Sequence, residues 1–232
     1  MDNKQWSEKL LSQYDPLFKH RWEIYDEILK DQLDTQKVWI DCGCGNNETV
    51  KDFIELAKVA IGVDIIDLNF ANINKSNFIK ADIKQLPLPS DYADLITLRF
   101  VVEHFNKYEK YFNELARVIK KGGRIIILTT NLLCPFIIIP RLLLPYRLKN
   151  RILTGLFKVK DKEIFPTFHN MNTPNKFKKL SKTFRINKVI FISDLNYIRK
   201  WVFILYLIWH KLTAKKFLNK FRTNILVILE KL

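Results

Sequence analysis

The feature that most constrains this chain is a short apolar run ending in an acid and a glycine-rich turn, Val38-Trp39-Ile40-Asp41-Cys42-Gly43-Cys44-Gly45. A run of this kind reads as a buried strand. Val50, Phe53, Ile54 and Ala57 follow at helical spacing within residues 49–58. The pattern then repeats. Val59-Ala60-Ile61-Gly62-Val63-Asp64 is a second strand ending in an acid, residues 76–80 a third and residues 94–98 a fourth. Residues 104–120 place Tyr108, Tyr111, Phe112, Leu115, Val118 and Ile119 on one helical face, with Gly122-Gly123 expected to cap that helix. Residues 124–130 are a fifth strand. This alternation predicts an α/β fold, a doubly wound and mostly parallel sheet with helices on both faces. Such sheets bind ligands beyond the carboxyl ends of their strands. Asp41, Asp64, Asp82 and Arg99 all fall at or just past those ends.

The remaining segments are less regular. Residues 5–33 read as helical, interrupted near Pro16. Residues 131–173 show no repeated pattern and are broken by prolines, yet their apolar content argues against disorder. A connection this long inside a compact domain is usually functional, and it is expected to form a helical insertion after strand five. Residues 174–182 read as a short helix with Thr173 as N-cap and Pro174 in its first position. Residues 186–192 and 224–230 complete a seven-stranded sheet, with an apolar and basic helical insertion at 194–222 between them. The expectation is one domain over residues 1–232, with the ligand-binding core at 36–130.

The turn itself selects among ligands. A dinucleotide fingerprint wants Gly-x-Gly-x-x-Gly, and here the last position is Glu48. An acid at a helix start repels a pyrophosphate, and so does Asp41 directly before the turn. A cationic ligand suits both. Further blocks follow in order: Gly62-Val63-Asp64-Ile65; Ala81-Asp82-Ile83-Lys84-Gln85-Leu86-Pro87; Val102-Glu103-His104; and Leu115-Ala116-Arg117-Val118-Ile119-Lys120-Lys121-Gly122-Gly123. With Asp41-Cys42-Gly43-Cys44-Gly45 they resemble the class I S-adenosylmethionine-dependent methyltransferases, in the small-molecule group that includes the ubiquinone/menaquinone-type enzymes. The resemblance covers residues 36–130. It implies a Rossmann-like methyltransferase fold, an enzyme, and S-adenosylmethionine as cofactor. It implies that Asp41 sits near the methionine amino group, that Gly43 and Gly45 leave room for the cofactor, and that Asp64 accepts hydrogen bonds from the ribose hydroxyls. Ile65 would pack on adenine, Asp82 and the Ile83 N–H would read its edge, and Arg99 completes the cofactor set. The insertion after strand five would be the acceptor lid. The family often has a further glycine where this chain has Asn47. Methyl transfer from a sulfonium asks mainly for alignment. A hydroxyl acceptor also needs a general base, for which His104 and His169 are the candidates.

Charge divides the chain. Residues 1–130 hold 18 Lys+Arg against 20 Asp+Glu, net −2, while residues 131–232 hold 21 against 4, net +17. Such asymmetry points to an anionic partner. Basic residues interleaved with apolar runs, as in 141–149 and 199–216, suit an anionic membrane surface better than nucleic acid. The expected partner is a small-molecule or lipid-linked acceptor, such as a quinone precursor or polyprenyl-linked saccharide. A catalytically silent membrane-associated binding protein and an RNA methyltransferase are the alternatives. Three cysteines, with no further Cys or His near Cys42 and Cys44, give no disulfide framework and no metal site. The polar start suggests no secretory signal. The apolar run 201–209 is too short to cross a bilayer. The expected location is the cytoplasm, with peripheral contact at the inner face of the membrane.

Overall fold

The computed structural model describes residues 2–66, 77–143, 166–195, 197 and 199–232. Two compact units divide the chain. The larger holds residues 25–129, 167–190 and 225–232, and the smaller holds 1–24, 130–166 and 191–224.

The larger unit is built on a seven-stranded sheet in the order β3-β2-β1-β4-β5-β7-β6. Its strands are β1 (Val38–Cys42), β2 (Val59–Asp64), β3 (Phe78–Lys80), β4 (Ala93–Arg99), β5 (Ile119–Thr130), β6 (Phe184–Ile192) and β7 (Asn224–Lys231). The pairs β2–β3, β1–β2, β1–β4 and β4–β5 are parallel. Hydrogen bonds pair Asn187 with Glu230 at one end of β6 and Thr223 with Ile192 at the other, so β6 and β7 run antiparallel. All five residues of β1 are buried, as a continuous apolar run in a doubly covered sheet requires. Trp39, Ile40, Leu95, Ile96 and the Ile125–Leu128 stretch form the centre of the core. Each such side chain contributes about 1.5–3 kcal/mol on burial.

Helix α2 (Arg21–Gln32) buries Tyr25 and Leu29, and α3 (Glu48–Phe53) follows the glycine turn. The expected helix at 104–120 is shorter and differently bounded. Residues 102–104 form a 3-10 turn, and α4 spans Tyr108–Val118. Gly122-Gly123 do not cap it. They lie inside β5, where Ala93 pairs with Ile119 but Leu95 pairs with Arg124. The extra β5 residues form a bulge, and Gly122 at φ 76° supplies its left-handed turn. The expected third strand is Phe78–Lys80, and Ser76 lies outside the described residues. Helix α6 (Pro174–Phe177) has Thr173 as its extended N-cap residue, without a capping side-chain bond.

The smaller unit contains α1 (Asn3–Tyr14), α5 (Pro135–Leu143) and α7 (Lys200–Thr213). The capping box of Asp2 and Gln5 starts α1, and the helix stops just before Pro16, as expected. Leu11, Leu195, Phe203 and Leu207 form the core of this unit, with Trp6, Leu10, Phe18, Tyr197 and Tyr206 packed around it. Of the expected lid at 131–173, Pro135–Leu143 is helical as α5, residues 131–134 and 166–173 are turns and irregular chain, and residues 144–165 lie outside the described residues. The 14 residues of α7 span about 21 Å, short of a bilayer core of about 30 Å. No helix among the described residues is long and apolar enough to cross a membrane.

Candidate active site

The carboxyl ends of β1, β2 and β4 bring Asp41, Asp64 and Arg99 within electrostatic reach of one another. Parallel register sets Asp41 opposite Gly62 on β2 and Thr97 on β4. Residues 39 and 41 share one face of β1, and both reach Thr97. The Trp39 indole N–H donates to Thr97 Oγ1 at 2.9 Å, and that hydroxyl donates to Asp41 Oδ1 at 2.6 Å. Asp41 is only 2% exposed. Burial pushes its carboxyl up to about 6, against the lowering pull of the Thr97 hydrogen bond and the Arg99 guanidinium. The phenol of Tyr25 is fully buried beside it, its pKa raised by burial and by the Asp41 charge. The Arg99 guanidinium lies 5.7 Å from the Tyr25 ring centroid. Tyr25 and Thr97 were not legible as site residues, because the register that aligns them with Asp41 exists only in the folded sheet.

The glycine turn is held from below. The amides of Gly43 and Cys44 both donate to the Val63 carbonyl, at 2.7 and 3.2 Å. Gly43, at φ 75°, packs so close to Val101 that a Cβ there would meet Cγ2 at 2.2 Å. Gly45, at φ 54°, faces open space, and a Cβ on it would meet nothing within 4 Å. Asp64 closes the turn from β2. Its Oδ2 accepts from the Gly45 N–H at 2.8 Å and its Oδ1 from the Ile66 N–H at 3.0 Å. Ile65 is 58% exposed. Burial pushes the thiols of Cys42 and Cys44 up, so neither is a reactive thiolate.

Asn47 stands in the left-handed conformation, φ 58°, that accounts for glycine at this place in the resembling family. Asn is among the side chains that tolerate it. Its amide fills the space over Gly62, where a Cβ would come within 1.9 Å of Asn47 Oδ1. Asp82 holds the next turn, accepting from the Lys84 N–H at 3.0 Å and pairing with its ammonium at 3.0 Å, while Ile83 is buried.

The two candidate histidines belong to adjoining turns. The amides of Phe168 and His169 both donate to the Glu103 carbonyl, at 2.7 and 3.0 Å, which straps the His169 segment to the turn that carries His104. His169 is buried in a left-handed conformation at φ 54°. The Glu103 side chain, also buried, accepts from Thr129 Oγ1 at 2.7 Å, and Asn172 Nδ2 donates to that hydroxyl at 2.8 Å. Burial raises the Glu103 pKa against these bonds. Phe100, directly after Arg99, is a further left-handed residue at φ 58°. Left-handed non-glycine residues of this kind gather at functional sites. Among the described residues no group of three or more His, Cys, Asp or Glu is placed to hold a metal.

Comparison with known proteins matches residues 40–127 to the family described as methyltransferase domain. The YcgJ methyltransferase of Bacillus subtilis is 31% identical over 97 residues, 38% of this chain and 38% of the relative. The ubiquinone/menaquinone biosynthesis C-methyltransferase UbiE of Vibrio vulnificus is 26% identical over 102 residues, 38% of this chain and 39% of the relative. The chain thus spans about two fifths of the length of the curated relatives it matches. Among solved structures, geranyl diphosphate C-methyltransferase from Streptomyces coelicolor, in complex with S-adenosyl-L-homocysteine, superposes with a TM-score of 0.57 at 15% identity, covering 91% of this chain and 80% of that one. Bacillus YcgJ superposes with a TM-score of 0.56 at 16% identity, covering 91% and 98%. These likenesses bear out the Rossmann-like methyltransferase fold and the family resemblance read from the sequence.

Proposed function

We infer that this chain, whose residues 40–127 match the methyltransferase domain, is an S-adenosylmethionine-dependent methyltransferase acting on a small-molecule acceptor. The observation that carries this reading is the Asp64 carboxylate at the end of β2, tied to the Gly45 amide at the rim of a turn open above Gly45. An ionised carboxylate offers about four lone-pair sites on its two oxygens. Two accept the Gly45 and Ile66 amides, which leaves the others for a ribose diol. Asp41 offers a buried negative charge to a cationic ligand, next to Arg99. Ile65, exposed beside Asp64, offers an apolar face to adenine, and the Ile83 N–H and Asp82 would read the adenine edge. Gly43 and Gly45 keep the turn thin enough for close approach. When bound, S-adenosylmethionine supplies an electrophilic methyl group on a sulfonium.

What this chain contributes is alignment and, for an oxygen acceptor, a proton acceptor. Positioning alone supplies a large part of such a rate. His104 and His169, on turns joined through the Glu103 carbonyl, are the groups to take that proton. Glu103 and Thr129 hold the turn that carries His104.

The acceptor we assign is lipid-linked or membrane-delivered, a quinone precursor or polyprenyl-linked saccharide. The apolar and basic composition of 131–173 and 194–222 supports this, as do relatives named for ubiquinone/menaquinone biosynthesis and for geranyl diphosphate methylation. The whole chain serves as one methyltransferase domain, at the cytoplasmic face of the membrane. The test follows labelled methyl from S-adenosylmethionine into a total lipid extract, an aqueous metabolite pool and RNA. Label in the lipid extract supports the reading. Label in RNA replaces it with a nucleic-acid acceptor, and cofactor binding without label in any pool replaces it with a silent binding protein.

A further inference from the structure

We propose that α7 is an interfacial helix that seats the smaller unit on an anionic lipid bilayer. Its purpose rests on the membrane-delivered acceptor inferred above, but its evidence is independent of the cofactor site. In a helix of a water-soluble unit the apolar stripe faces inward and the outer face is polar. Helix α7 keeps the inward stripe, with Phe203 at 0%, Leu207 at 5% and Thr213 at 1% exposure. Its outward stripe is apolar as well. Trp201 is 63% exposed, Ile204 41%, Leu205 47%, Ile208 50% and Leu212 45%. At about 100° per residue these five side chains fall within an arc of about 100°, on the side opposite Phe203 and His210. Helix α5 packs alongside, its Phe136 ring stacked on Tyr206 at 4.9 Å and edge-on to Trp209 at 5.4 Å. It adds Ile139 at 50% and Leu142 at 73% exposure. An exposed apolar stripe of this extent on α7 marks an interaction surface.

The charges around the face name the occupant. Arg199 and Lys200 precede the stripe, and Lys211, Lys215 and Lys216 follow it, while no Asp or Glu occurs anywhere from residue 195 to 229. Lys200 Nζ lies 5.2 Å from the Trp6 ring centroid and Lys211 Nζ lies 3.7 Å from that of Tyr14. Both ammonium groups are thereby held at the flanks of the face. A second copy pressed against this surface would set these cations against their own kind, with no acid of the segment to pair them. Nucleic acid would leave the aliphatic stripe without a partner. An anionic bilayer satisfies both parts, headgroups for the cations and acyl boundary for the stripe.

The full chain is floated with vesicles of phosphatidylcholine containing phosphatidylglycerol, and with vesicles of phosphatidylcholine alone, at physiological salt. Flotation with the anionic vesicles only is expected. The Lys215→Ala/Lys216→Ala pair should weaken binding about fivefold per lysine. The Ile204→Gln/Ile208→Gln pair should abolish it with an unchanged melting temperature, because both side chains are outward. Failure of the wild-type chain to float, or wild-type flotation by the glutamine pair, overturns the proposal. So does a concentration-dependent dimer that the glutamine pair dissolves, since a second copy then occupies the face. Titration of the same samples with S-adenosylhomocysteine separates the two readings: a chain that floats but binds no S-adenosylhomocysteine refutes the methyltransferase and leaves the membrane face standing.

Discussion

Asp41 carries an unusual burden for a carboxylate. It is buried with its charge, and burial pushes its pKa up from the ordinary aspartate value of 3.8 to about 6. Between those values the native state holds the proton more tightly than the unfolded chain. Stability therefore falls as pH rises through the window about 4 to 6, by up to about 3 kcal/mol, the reverse of a salt-bridged aspartate. Asp41→Asn should remove this slope and leave the melting temperature at neutral pH unchanged or raised. A cationic ligand beside Asp41 favours the ionised form and so expels a proton near pH 6. Calorimetry in buffers of different ionisation heats should show proton release on S-adenosylmethionine binding there, and none in Asp41→Asn. At Gly62 the test is steric. Gly62→Ala puts a Cβ within 1.9 Å of Asn47 Oδ1 and should cost about 1–3 kcal/mol in denaturant unfolding. Asn47→Gly in the same chain should restore most of it. The acids of the site were legible from the sequence, because each ends an apolar run. Their partners Thr97, Tyr25 and Trp39 were not, because each is an ordinary core residue until parallel register sets it beside Asp41.

At the scale of elements, the alternation of strands and helices stood in the sequence, and the boundaries did not. Gly122-Gly123 read as a helix cap, since a glycine pair after an amphipathic run ordinarily is one. The structure spends them on a bulge, because β5 begins at Ile119 in register with Ala93 before the glycines are reached. The turn at 102–104 shows the same competition. Residues 104–120 read as one helix, yet residues 102–104 turn separately and Glu103 is buried, where Thr129 and Asn172 form a chain of hydrogen bonds to it. Glu103→Ala strands the buried Thr129 hydroxyl, while Asn172 keeps its bond to Thr129, and should cost about 1–3 kcal/mol. Glu103→Gln keeps an acceptor for Thr129 and should cost about 1 kcal/mol or less. Thermal unfolding of the two variants measures the difference, and equal losses would contradict the network.

At the scale of the whole molecule, sequence order and spatial order disagree. The larger unit takes its strands from both ends of the chain, and β7, last in sequence, lies against β5. A fragment ending at residue 130 keeps every cofactor motif but loses the Ile225–Leu229 stretch that neighbours Ile125–Leu128. It should be insoluble, or give no cooperative melt by circular dichroism, since it bares an apolar edge strand. The charge division has a spatial counterpart: the cofactor motifs lie in the larger unit, and the basic, apolar-faced α7 lies in the smaller. The central claim is that the turn between β1 and α3 and the acid of β2 hold S-adenosylmethionine. It is tested most directly by titrating the full chain with S-adenosylhomocysteine and with NAD, beside Asp64→Ala. Saturable heat from S-adenosylhomocysteine, none from NAD, and an affinity about 10- to 100-fold lower in Asp64→Ala are the predicted results. Binding of NAD in its place, or an affinity for S-adenosylhomocysteine untouched by Asp64→Ala, would contradict the account.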